Sequence, residues 1–149
     1  MESLIPMWGN FGAIAVMTLA AVGSAAGVGV AGMAAIGAWK KCYVQNKPAP
    51  FLLVGFVGAP LTQTIYGYIV MNSLLGVPTT PANFMQKLAA GIAGGAAIGM
   101  SAYFQGKGAA CACDSFAETG KGVAADFIVL GMTETVALFV MVFLLTVKF

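Results

Sequence analysis

The chain has 149 residues, of which 60% are hydrophobic and only 8% charged, with a formal net charge of +2. A soluble domain carries roughly 25% charged residues, so this composition excludes an ordinary water-soluble enzyme and offers no basic surface for nucleic acid. There is no His, so no Ser–His or Cys–His nucleophile pair can form.

Four apolar stretches are each long enough for the roughly 20 residues a bilayer needs. The first covers about Phe11–Trp39. It lacks a basic lead-in, since Met1-Glu-Ser3 is acidic, and it is longer than a signal-peptide core of roughly 7–15 residues. It is therefore expected to stay as a span. Within it Gly27-Val-Gly-Val-Ala-Gly32 fits G-x-G-x-x-G literally. No strand precedes it and no acidic residue follows about 20 positions on, so these glycines read as packing residues. No phosphate-binding loop exists either, and no nucleotide is expected.

The loop Lys40–Pro50 leads to a second span at about Phe51–Leu75, and the loop Gly76–Asn83 to a third at about Leu88–Cys113. The loop Asp114–Gly122 leads to a fourth at about Val123–Val147. Only helices or closed barrels satisfy the backbone in lipid, so four helices are expected. Cys42, Cys111 and Cys113 read as reduced thiols packing as small hydrophobes. Cys111-Ala-Cys113 lacks the further ligands a metal site needs. Lys40, Lys41, Lys47 and Lys121 lie in the first and third loops, with Lys107 nearby, against Lys87 and Lys148 elsewhere. The positive-inside rule then places those two loops in the cytoplasm, with both termini and the central loop outward.

The halves look alike. Thr62-Gln-Thr64 matches Thr133-Glu-Thr135, and Gly23-Ser-Ala-Ala-Gly27 matches Phe104-Gln-Gly-Lys-Gly108. The chain reads as an all-α membrane protein of two tandem helical hairpins, residues 1–75 and 84–149, in a parallel internal repeat. Ser24 and Gln63 flank one loop midpoint symmetrically, and Gln105 and Glu134 another, so each pair is expected at similar depth. Gly23 and Gly27, with Gly91, Gly95 and Gly99, recur every four residues, a spacing that lets backbones approach closely. The Gly-rich helices are therefore expected to pack on one another at an inner surface; the alternative is an ordinary small-residue seam within one bundle. The second and fourth spans carry the bulky residues and are expected to face lipid.

Glu134 carries the chemistry. It is the one carboxylate in the run Phe127–Val147. A charge there costs about 2.5–3.5 kcal/mol on insertion scales, which makes it a functional residue by default. Gln63 and Tyr66 share a helix face, Thr62 adjoins Gln63, and Gln105 lies in the third span. Pro60 has no N–H, so the Phe56 carbonyl is expected to lose its helical partner, and Ala59 could present its own carbonyl. One carboxylate, two amide oxygens, a hydroxyl and a carbonyl suit a hard monovalent cation.

These residues resemble the membrane rotor (proteolipid, K or c) subunit of V-type ATPases in its duplicated four-helix form. The likeness rests on Gly23–Gly32, Gly91–Gly108, Glu134 and, where the second span has lost its own carboxylate, Gln63. Pro60-Leu-Thr-Gln-Thr-Ile-Tyr66, Phe104-Gln-Gly-Lys107 and Met132-Thr-Glu-Thr135 are similar to the sodium-translocating bacterial branch. That resemblance implies Na⁺ held by Glu134, Thr62, Gln63, Gln105 and the Ala59 carbonyl, with the Tyr66 hydroxyl on the carboxylate. Two positions depart from the family: Ala59, where a bulkier residue is usual, and Ala26, where a Lys can occur.

The resemblance further implies a homo-oligomeric ring in the cell membrane. A stator membrane subunit of the a or I type would face it, and a central-stalk subunit would meet the cytoplasmic loops. The chain would be a non-catalytic subunit, with ATP hydrolysed by partners. One site per four helices favours pumping over ATP synthesis. The alternatives are the same rotor carrying H⁺, which needs only the carboxylate, and a monomeric four-helix transporter or channel. A purely structural membrane protein would leave Glu134 unexplained.

Overall fold

A computed structural model describes residues 4–149; the acidic Met1–Ser3 lies outside them. Among the described residues every regular element is helical. Helix α1 runs Ile5–Val44, α2 Leu53–Gly58, α3 Thr62–Leu75, α4 Phe84–Thr119 and α5 Val123–Thr146. A 3₁₀ turn at Ala59–Leu61 joins α2 to α3, so the second span is one broken helix, Leu53–Leu75.

Two helices outrun the expected spans. At 1.5 Å per residue, the 40 residues of α1 reach about 60 Å, twice the roughly 30 Å hydrocarbon core. Helix α1 absorbs Lys40–Val44, and α4 absorbs Asp114–Thr119, both expected to be loop. Hydropathy drops where water begins, but nothing in those turns breaks a helix. The stops are conformational. Asn46 takes φ 52° ahead of Pro48, and Gly120 takes φ 65° after Thr119, the left-handed helix terminus that glycine adopts without strain.

Three elements are long and apolar enough to cross a membrane: Ile5–Val44, Leu53–Leu75 and Val123–Thr146. Helix α4, expected as the third of four spans, is not among them. Its Gly, Ser101, Gln105 and Lys107 dilute its hydropathy, and many of these residues turn inward. Gly91, Gly95, Gly99, Ser101 and Gln105 are all buried.

Helix α1 packs along α4, with α2–α3 and α5 on the outside of that pair. The small residues make the approach possible. A Cβ on Gly91 would run into the Gly12 carbonyl, one on Gly23 into Gly99, and one on Gly95 would stand 2.8 Å from Val16 Cα. The glycine stripes of α1 and α4 therefore pack on one another within the chain. Helix α5 turns Phe127, Met132, Phe139 and Phe143 outward. At the loop end, Lys41 Nζ pairs with Asp114 at 2.8 Å and Glu118 at 3.3 Å, tying α1 to α4.

The core forms two apolar clusters. One gathers Ala31, Ala35, Leu53, Phe56, Cys113 and Leu130. The other gathers Val16, Ala20, Val70, Leu74, Ile98 and Ala137. Ser24 on α1, Gln63 on α3, Gln105 on α4 and Glu134 on α5 fall between the two along their helices.

Candidate functional site

Helix α3 starts at Thr62 because Pro60 interrupts the hydrogen-bond ladder. The Phe56 carbonyl, expected to be stranded by this, is taken instead by the Ala59 N–H. That shorter bond is the 3₁₀ turn. It brings the Ala59 carbonyl within 3.3 Å of Thr62 Oγ1. Thr62, Gln63 and Tyr66 then follow within one helical turn.

Glu134 meets them from the middle of α5. Its Oε1 accepts from Thr62 Oγ1 at 2.6 Å and from the Tyr66 hydroxyl at 2.7 Å. Its Oε2 accepts from Gln105 Nε2 at 3.2 Å. Gln105 Nε2 also donates to the Leu130 carbonyl at 3.0 Å, and Gln105 Oε1 accepts from Gln63 Nε2 at 2.6 Å. Gln63 and Gln105 are 0% and 1% exposed, so water cannot stand in for these partners. Three helices thus hold one carboxylate.

A threonine hydroxyl has one proton. With that proton on Glu134, the Ala59 carbonyl and Gln63 Oε1, each 3.3 Å from Thr62 Oγ1, keep lone pairs free. The layer is rich in neutral oxygens around a single charge. Among the described residues no three His, Cys, Asp or Glu side chains gather as a metal-binding group, so the donor set fits a hard monovalent ion better than a transition metal.

All six residues named from the sequence, Ala59, Thr62, Gln63, Tyr66, Gln105 and Glu134, come together in this layer. Sequence reasoning missed two supports. Ser101 Oγ donates to the Thr133 carbonyl at 2.6 Å, and the Leu130 carbonyl anchors Gln105. Ser101 stands one helical turn before Gln105, and that spacing was a usable signal. The Leu130 carbonyl, a backbone atom of an apolar residue, left none.

Residues 88–147 match the family model of the ATP synthase C subunit. The matched segment spans most of α4 and all of α5, and it contains Gln105 and Glu134. Residues 1–87 lie outside it. The match thus covers 60 of the 149 residues, and the likeness is one of this segment. No curated protein sequence matches the chain significantly.

Proposed function

We propose that the chain is a rotor subunit of a V-type rotary ATPase and carries Na⁺ across the membrane, one ion per subunit, on Glu134. The observation that carries this reading is the cluster of neutral oxygens around Glu134. A proton needs only the carboxylate, whereas Gln63, Gln105 and the Ala59 carbonyl have nothing to add to proton carriage. Na⁺ is the cargo. Glu134 would supply its counter-charge, and Gln63, Gln105, Thr62 and Ala59 the remaining oxygens. Tyr66 would keep the carboxylate oriented.

A filled site is electrically neutral, and the cost of carrying Glu134 through lipid falls accordingly. Copies of the chain form a ring in the cell membrane, and each copy repeats one ancestral hairpin. ATP hydrolysis on partner subunits turns the ring through a central stalk that meets the cytoplasmic loops. A stator subunit of the a or I type admits and displaces the ion. The membrane potential sets the electrical work at about 2.3 kcal/mol per charge per 100 mV.

The test is competition at Glu134. Carbodiimides attack the protonated acid, and bound Na⁺ keeps it ionised. Labelling of Glu134 in the assembled protein is expected to fall as Na⁺ replaces K⁺ at fixed pH and ionic strength. Labelling indifferent to Na⁺ would overturn the sodium reading and favour the proton rotor. A protein that is monomeric in mild detergent would favour a four-helix transporter or channel.

A further inference from the structure

Ser24 stands on α1, which contributes no residue to the hydrogen bonds around Glu134. It is 2% exposed, and its Oγ has no hydrogen-bond partner among the described residues. A serine in a helix ordinarily satisfies itself on the carbonyl one turn back. Thr18, Thr133 and Thr135 do so in this chain. Ser24 does not, although an unpaired buried hydroxyl carries a free-energy cost.

The register of α1 against the second span shows what Ser24 faces. A Cβ on Gly27 would stand 3.0 Å from Pro60 Cβ, and one on Gly67 would stand 2.7 Å from Ala20 Cβ. Ser24 follows Ala20 by four residues and precedes Gly27 by three; Gln63 precedes Gly67 by four and follows Pro60 by three. The two helices are antiparallel, so Ser24 lies opposite Gln63, between two close contacts. The same pairing in the second hairpin is Gln105 with Glu134, which touch.

The Gln63 amide carries two N–H donors, and one of them goes to Gln105 Oε1. Gln63 is fully buried, so the other needs an acceptor inside the protein, and a cation held by the neighbouring oxygens cannot serve as one. We propose that Ser24 is a positioning residue for the cation site, its hydroxyl accepting the Gln63 carboxamide N–H when Gln63 turns its oxygen onto Na⁺. This rests on the sodium reading given above. It gives the unpaired hydroxyl a partner in the loaded state and holds Gln63 in the ligating orientation.

The experiment titrates Na⁺ protection of Glu134 against carbodiimide in the assembled protein, with K⁺ balancing ionic strength. Ser24→Ala removes the acceptor and adds no bulk. It is expected to raise the Na⁺ concentration for half-protection about fivefold, the equivalent of one neutral hydrogen bond. The labelling rate without Na⁺ should match the parent, because Ser24 does not touch Glu134. Combined with Gln63→Ala, Ser24→Ala should add nothing, as two residues acting through one contact require. Ser24→Cys fills the same space with a weak acceptor and should shift in the same direction.

Half-protection at the parent's Na⁺ concentration in both Ser24 variants would overturn the proposal while leaving sodium binding intact. So would an equal shift with and without Gln63. A parent protein indifferent to Na⁺ would instead remove the sodium reading, and this role of Ser24 with it.

Discussion

The Tyr66 hydroxyl and Glu134 are 2.7 Å apart, joined across two helices by a bond to the same carboxylate oxygen that Thr62 holds. One oxygen of the carboxylate thus carries two hydroxyl donors, and the other carries the Gln105 amide. This arrangement gives both oxygens of a carboxylate hydrogen-bond partners inside an apolar bundle without a cationic partner, and it leaves neutral oxygens beside it.

Glu134→Gln is expected to abolish ion transport and leave the protein assembled. The glutamine oxygen can still accept from Thr62 and Tyr66. Its amide nitrogen would meet the Gln105 nitrogen, donor against donor, but Gln105 keeps the Leu130 carbonyl. The loss is about one hydrogen bond, near 1 kcal/mol, against an insertion gain of about 2.5–3.5 kcal/mol. Ion flux in reconstituted vesicles and oligomer size in mild detergent check both parts. Normal transport would show that Glu134 is not the carrier.

Gly95→Leu is expected to break the bundle itself. The glycine sits where α4 crosses α1, and even a Cβ would press on Val16 backbone atoms, at 2.8 Å from Cα and 2.9 Å from the carbonyl oxygen. Backbone cannot step aside as a flexible side chain can, and overpacking of this kind typically costs about 1–3 kcal/mol or more. Loss of the folded protein on expression in membranes, or a steep fall in thermal stability, is the readout. Gly29→Leu, at a position with open space around it, is the matched control.

Lys87→Met tests the end of the bundle opposite the Lys41 ion pairs. Lys87 is buried on α4 and donates to the Val77 carbonyl at 2.8 Å and to Thr79 Oγ1 at 2.7 Å. It thereby staples the Gly76–Asn83 loop, which Asn83 also closes on Thr80 and Pro78. Methionine fits the space but leaves two polar atoms short of a donor. Val77 and Thr79 are only half-buried, so a destabilisation of about 1 kcal/mol, the net worth of a hydrogen bond, should appear as a lower melting temperature and faster proteolysis within residues 76–83. Na⁺ protection of Glu134 should stay unchanged, since the site lies on the far side of the Val70 and Leu74 cluster.

The site was largely legible in the sequence because each member is a polar exception in an apolar run. Glu134, Gln63 and Gln105 violate the local pattern, and Pro60 marks the break that opens Ala59. The Ala59 amide's bond to Phe56 was not legible, since one missing N–H can be answered by several backbone adjustments. The bundle was legible from its hydrophobic runs, but not its helix lengths. Hydropathy reports the bilayer, whereas Asp114–Thr119 and Lys40–Val44 stay helical in water, through local propensity and a Lys41 ion pair. Nor could spacing tell whether the glycine stripe met its own chain or a neighbour. Gly12 against Gly91 and Gly23 against Gly99 are contacts between the two halves of one chain.

Thr62→Val and Tyr66→Phe separate the two hydroxyls that share Glu134 Oε1. Thr62 Oγ1 lies within 3.3 Å of both the Ala59 carbonyl and Gln63 Oε1, so it belongs to the oxygen cluster as well as to the carboxylate. Valine keeps its shape and removes that oxygen. Tyr66 bonds only the carboxylate among these groups, so phenylalanine removes a donor to a charge and no oxygen near Ala59 or Gln63. A hydrogen bond to a charged group is worth about 1.5–3 kcal/mol, or roughly tenfold or more in an equilibrium. Tyr66→Phe is therefore expected to change the pH dependence of carbodiimide labelling in the absence of Na⁺, and Na⁺ protection only through that change. Thr62→Val should move both readouts, with Na⁺ half-protection displaced beyond what its effect on proton labelling accounts for. Equal displacement of the two readouts in both variants would mean that Thr62, like Tyr66, holds only the carboxylate and is not a ligand of the ion.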